Sequence, residues 1–158
     1  MQAMRRFSVR HARFLGALYE IVSWALIGLH PLWQAIGYRR LESPVAAVER
    51  GVKGFLFDCT MCGSCVLNAT GMACPVNCPK NLRNGPCGGV RADAMCEVIP
   101  DMRCVWVEAY EGSLRMNGGA VIRAPLPPLD HRHWGKSSWL RLAREAHRAG
   151  GGDSDSAA

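Results

Sequence analysis

The chain has 158 residues, of which 49% are apolar and 20% charged, with a mean hydropathy of -0.02. These values fit one globular domain and exclude collagen-like, coiled-coil and wholly disordered chains. Nineteen Lys and Arg against 13 Asp and Glu leave a formal charge of +6, which leans toward an anionic partner without naming one.

Residues 1–58 carry eight Lys/Arg and four Asp/Glu. Phe14, Leu15, Leu18, Val22, Leu26, Leu29, Trp33 and Ile36 recur at three- and four-residue steps, which predicts a helix with an apolar stripe, ended or kinked at Pro31. Arg5, Arg6, Arg10 and Arg13 precede it, so an export signal has to be weighed. Glu20 breaks the apolar run, and no convincing small-residue cleavage site follows. Glu20, His30, Pro31 and Gln34 also make Phe14 to Ile36 a poor transmembrane helix. The expectation is a cytoplasmic protein without membrane contact, in which residues 1–42 form a basic amphipathic helical arm. The arm covers the chain's own cysteine-rich region, docks on a partner or lies on a membrane surface, in that order of preference. A second helix is predicted from Pro44 to about Phe55, with Ser43 as N-cap and Val48, Val52 and Phe55 on one face.

Residues 59–104 hold all eight cysteines (Cys59, Cys62, Cys65, Cys74, Cys78, Cys87, Cys96 and Cys104) and no Phe, Trp, Tyr or His. Gly, Pro and Asn punctuate the segment into successive turns, and its apolar content is thin, so cross-links are expected. In a reducing compartment clustered cysteines are more often metal ligands than disulfides. The spacing is Cys-x2-Cys-x2-Cys, x8, Cys-x3-Cys, x8, Cys, x8, Cys, x7, Cys. Three close cysteines followed by Cys74-Pro75 and Cys78-Pro79 resemble ferredoxin-type cluster loops. Zinc ribbons favour two separated Cys-x2-Cys knuckles, and no second knuckle is present. Eight thiolates divide into two four-cysteine sites, read as two 4Fe–4S clusters, with one cluster plus structural cysteines or zinc, zinc alone, and disulfides as the alternatives in that order; which cysteines pair is left open. Gly63, Gly71, Gly85, Gly88 and Gly89 are expected to let backbone N–H groups approach sulfur. The fold class is a small, α-rich, irregular cysteine-rich metal-binding domain over 43–149, with helices flanking a loop-rich cluster-binding core.

Val105-Trp106-Val107 reads as a short strand or a helix start, followed by a Gly/Pro-rich loop. A last helix runs from about Ser138 to Arg148, and residues 150–158 read as a disordered tail. His131 and His133 are expected to be loop residues and not ligands. Lys80, Arg83 and Arg91 either offset metal-site charge or form a solvated surface. Trp33, Trp106, Trp134 and Trp139 read as core or interface anchors. No catalytic constellation stands out, and no basic or aromatic ladder points to nucleic acid.

Cys59-Thr60-Met61-Cys62-Gly63-Ser64-Cys65, Cys74-Pro75 and the block Cys78-Pro79-Lys80-Asn81-Leu82-Arg83-Asn84-Gly85-Pro86-Cys87-Gly88-Gly89 resemble the cysteine-rich C-terminal domain of methylenetetrahydrofolate reductases. Cys96-Glu97-Val98, Cys104-Val105-Trp106 and Ser137-Ser138-Trp139-Leu140 continue the likeness, which runs from about Val45 to about Leu142. The resemblance implies a domain fused to, or encoded beside, a flavin-containing TIM-barrel reductase, similar to the iron–sulfur small subunit of acetogens. It further implies electron transfer to FMN or FAD on that partner, an external electron donor protein, and a place in folate one-carbon chemistry. The chain is too short to be the roughly 250-residue barrel itself. A zinc- or cluster-stapled docking scaffold with no redox role is the alternative.

Overall fold

The computed structural model describes residues 2–149, so the tail expected over 150–158 lies outside the described residues. Helices α1 (Gln2–Arg10), α2 (Ala12–Gly28), α3 (His30–Ile36) and α4 (Tyr38–Phe57) follow one another through single-residue junctions. The junction between α2 and α3 is the kink expected at Pro31, and it bends the pair by 52°. Proline has no N–H for the carbonyl one turn back, and its ring crowds that carbonyl.

Helix α4 differs from the prediction at its start and in its orientation. It begins at Tyr38, after Gly37 at φ 95°, and carries Pro44 in its interior, so Ser43 is not its cap. The proline is tolerated because it and Arg40, whose carbonyl loses a donor, both face solvent. Val48, Val52 and Phe55 do share a face, but that face is exposed. The opposite side, with Ala46, Glu49, Lys53 and Phe57, is buried.

Beyond α4 the chain runs as loops with short 3-10 turns at Leu67–Ala69 and Pro75–Asn77. Among the described residues there is no strand, only an antiparallel bridge between Met95 and Arg103. Around it Cys96 N–H donates to Met102 O at 2.8 Å and Cys104 N–H to Ala94 O at 2.9 Å. Val105 then opens helix α5 (Val105–Arg115), which buries Val105, Trp106, Ala109, Gly112 and Ser113 on one side. The Gly/Pro loop contains 3-10 turns at Gly119–Arg123 and His131–His133, and α6 (Ser138–Ala149) closes the fold.

Two apolar clusters flank the cysteine loops. One joins Val9, Ala73, Cys104, Trp106 and Ala109; the other joins Ala12, Leu15, Phe57, Leu67 and Met72. Both take residues from α1 or α2, so the N-terminal segment packs on the cysteine-rich region. Helix α1 lies on α4 and α5, and α2 lies on α6 and α5. Arg5 and Glu108 tie α1 to α5 through a buried ion pair at 3.1 Å.

The glycines expected to expose N–H groups to sulfur serve closer packing in two cases. A Cβ on Gly71, at φ 58°, would lie 2.3 Å from Ala109 O, so this loop meets the α5 backbone directly. A Cβ on Gly63 would lie 2.2 Å from His133 O, which docks the first cysteine loop on the His131–His133 turn. Among the described residues no single helix is long and apolar enough to cross a membrane. The bent α2–α3 pair passes that test only when its two helices are taken together.

Candidate metal centre

Asp58 ends α4 in the left-handed conformation and starts the loop that carries Cys59, Cys62 and Cys65. The turn at Leu67–Ala69 reverses the chain, with Met72 N–H on Leu67 O at 3.0 Å. The fully buried Thr70 hydroxyl lies 3.0 Å from Val66 O and 2.7 Å from Ala73 O, fixing the return. Cys74 thereby joins the first three cysteines on the wall of one cavity of about 20 Å³, which Phe57, Met61 and Leu67 help to close. That is room for about one water-sized body. The four thiols line the cavity without converging: among the described residues, no three Cys, His, Asp or Glu side chains stand close enough to hold an ion. All eight cysteines are free of disulfides.

Backbone donors reach two of the sulfurs from two residues downstream. Met61, at φ 57°, donates its N–H to Cys59 Sγ at 3.4 Å. The Val76 backbone N–H acts in the same sense on Cys74, working against the rise of its thiol. Such contacts stabilise sulfur that carries negative charge. Burial pushes the Cys59 thiol up, against the Met61 N–H. Cys74 is pushed up to about 12, first by burial and then by Cys59, Cys65 and Cys62. The neighbouring thiols oppose the ionisation of Cys59 and Cys74, which a bound cation would favour.

Two positive groups line the same cavity, one buried and one half-buried. Lys53, on the inner side of α4, donates to Glu49 Oε1 at 2.7 Å and to Ser138 Oγ at 2.8 Å, and it lines the cavity together with Cys65. Burial works against its charge, but Cys65 and Glu49 outweigh it and hold the ammonium above its ordinary value. Burial first, and then Cys65, hold the Tyr19 phenol above its ordinary value. Arg83 lines the cavity as well. Its Nε donates to Pro127 O at 2.6 Å and its Nη2 to Ser64 O at 3.3 Å, while its buried Nη1 has no partner among the described residues. An orphaned guanidinium nitrogen and a buried ammonium beside four thiols fit a thiolate-bound metal group of net negative charge.

The other four cysteines are arranged differently. Cys87 Sγ lies 3.5 Å from Glu97 Oε1, and Lys80, which pairs with Glu97, feels both Cys87 and Cys96. Cys104 is drawn into the apolar cluster with Trp106 and Ala109, and Cys78 follows the Pro75–Asn77 turn half-buried. His131 and His133 do not line the cysteine cavity; His133 Nε2 sits 3.4 Å from Asp130.

Sequence reasoning singled out Arg83 but missed Tyr19, Glu49 and Lys53. The available signal was the Glu49 and Lys53 pair one helical turn apart, just ahead of Cys59. It was masked by the apolar Val48, Val52 and Phe55 on the other side of the helix.

A family model described as methylene-tetrahydrofolate reductase C terminal matches residues 38–132 of the chain. No curated protein and no solved structure matches it.

Proposed function

The chain belongs to the methylene-tetrahydrofolate reductase C-terminal family, and on that footing we propose that it is an iron–sulfur accessory subunit of a methylenetetrahydrofolate reductase-type complex. The observation that carries the proposal is the cavity whose wall Cys59, Cys62, Cys65 and Cys74 share with the buried Lys53 and the half-buried Arg83. In this reading those four cysteines hold one 4Fe–4S cluster, and Cys78, Cys87, Cys96 and Cys104 hold a second. Bound clusters supply one-electron transfer, here from an external donor protein toward FMN or FAD on the partner subunit.

The chain's own residues prepare that chemistry. Lys53 and Arg83 offset the negative charge of four thiolates, and the Met61 and Val76 N–H groups point at sulfur. Phe57 and Leu67 supply apolar wall to the cavity. No residue of this chain is assigned a catalytic role; folate and flavin belong to the partner in this reading. The exposed Val48, Val52 and Phe55 on α4 are the apolar surface offered to that partner, within the family-matching segment. The complex is placed in the cytoplasm.

One observation favours a second reading. A cavity of about 20 Å³ suits a single ion better than a four-iron cluster, for which the thiols must spread. In that case the chain is a zinc-stapled scaffold that stabilises the reductase without a redox role.

The test is anaerobic mixing of the reduced chain with the flavin-containing reductase subunit. The proposal expects a stable complex and bleaching of the flavin band, with the complex lost in Val52→Glu. A complex that forms without flavin reduction favours the scaffold, and no complex at all contradicts both readings.

A further inference from the structure

Helix α2 turns an apolar face away from the protein. Phe14, Ala17, Leu18, Ile21, Trp24 and Ala25 fall within about 120° of one side, and all are exposed, Trp24 at 80%. The only polar side-chain atom on that face is the indole nitrogen. The residues that break the apolar run in sequence are directed elsewhere: Arg13 and Glu20 stand at its edge, and His30 is buried at 3% exposure. Leu32 and Ile36 extend the exposed apolar surface along α3.

The pair is apolar enough to suggest a membrane span, but the packing of its inner side favours another arrangement. It bends by 52°, and its inner side, with Ala12 and Leu15, is fixed against the core. A helix with one side in the core and the other wholly apolar can meet a bilayer only by lying along it. Charge points the same way. Residues 1–40 hold six arginines and one glutamate, so +5 of the chain's +6 sits here. Exposed Arg10 and Arg13 stand where α2 begins, and exposed Arg39 and Arg40 stand just past the end of α3. Protein interfaces carry about one hydrogen bond per 100–200 Å², which this face cannot supply; a lipid surface asks for none. Arginine and tryptophan around an apolar stripe are what the headgroup level favours.

We infer that α2 and α3 attach the protein to an anionic lipid surface, lying in its plane with Phe14, Leu18, Ile21 and Trp24 in the acyl boundary. Arg10, Arg13, Arg39 and Arg40 meet the headgroup phosphates. Residues 12–36 lie outside the family match, so the inference does not rest on the reductase reading.

The test is co-sedimentation of the full chain with phosphatidylcholine–phosphatidylglycerol vesicles and with pure phosphatidylcholine vesicles. Binding is expected to the anionic vesicles and to weaken with salt. Ile21→Glu and Trp24→Glu should each lower partition at least about tenfold while helix content by circular dichroism is unchanged. Each exposed arginine changed to Gln should lower it about fivefold. Val121→Glu, exposed elsewhere, should leave binding as it is. Three outcomes overturn the inference. They are no binding to anionic vesicles, equal binding by wild type and both variants, or a dimer that Ile21→Glu dissociates while vesicles are ignored.

Discussion

Lys53 Nζ lies 2.7 Å from Glu49 Oε1 one helical turn along α4, and both residues are at most 2% exposed. The start of α6 closes the pair from the other side. Ser137 Oγ donates to Glu49 Oε2 at 2.7 Å, Trp139 N–H donates to the same oxygen at 3.3 Å, and the Ser138 hydroxyl reaches Oε1. Lys53 also lines the cavity on whose wall Cys65 stands. One buried ion pair thus links the C-terminal helix, the helix before the first cysteine and the cysteine loop.

Breaking that pair should be asymmetric. Glu49→Leu removes the buried ammonium's counter-charge, leaves it Ser138 Oγ alone, and takes the acceptor from Ser137 and Trp139, so it should cost about 3–5 kcal/mol in urea unfolding. Lys53→Met leaves Glu49 with its α6 donors and should cost only about 2 kcal/mol. Equal losses would deny the α6 donors their part.

Glu108 gives a pH signature. Burial raises its carboxyl above the ordinary value, and Arg5 acts against that rise. Arg5→Met removes the opposing charge, so the folded value climbs further. An acid raised on folding adds stability while protonated, and that stability is lost as pH rises through the folded value. The variant should therefore be about 3–5 kcal/mol less stable at neutral pH, with the deficit narrowing as pH falls toward about 4.3. Denaturant midpoints across that range decide it; a deficit that does not change with pH contradicts the account.

Two glycines should respond in opposite directions. Gly71→Ala forces a Cβ onto Ala109 O and Ser113 N at a positive φ and should cost about 3 kcal/mol or more. Gly51, inside α4 with open space where its Cβ would stand, should gain about 0.5–1 kcal/mol as Ala. Thermal unfolding of both variants checks this, and a tolerated Gly71→Ala would mean that the loop does not meet α5 at this point.

The break at Pro31, the helix from Ser138 and the loop character of the cysteine segment were all legible, because each follows from a local rule of proline, capping or turn residues. The face of α4 was not. Periodicity groups Val48, Val52 and Phe55 on one side but does not say which side meets the core, and here a buried Glu49–Lys53 pair takes the inner one. The start of α4 was hidden because Pro44 is a normal opening residue, and only its solvent exposure lets it sit two turns inside. The cysteine spacing named a ligand type. The grouping of Cys59, Cys62 and Cys65 with Cys74 depends on the Leu67–Ala69 reversal and the buried Thr70, which spacing does not reveal.

Metal and sulfide analysis of the anaerobically purified chain tests the central claim most directly. Two 4Fe–4S clusters require about eight iron and about eight labile sulfide per chain, with a broad visible absorbance that bleaches on reduction. Cys62→Ser should lose iron and folding stability together, whereas His133→Ala should lose neither. Stoichiometric zinc without iron or sulfide would contradict the claim.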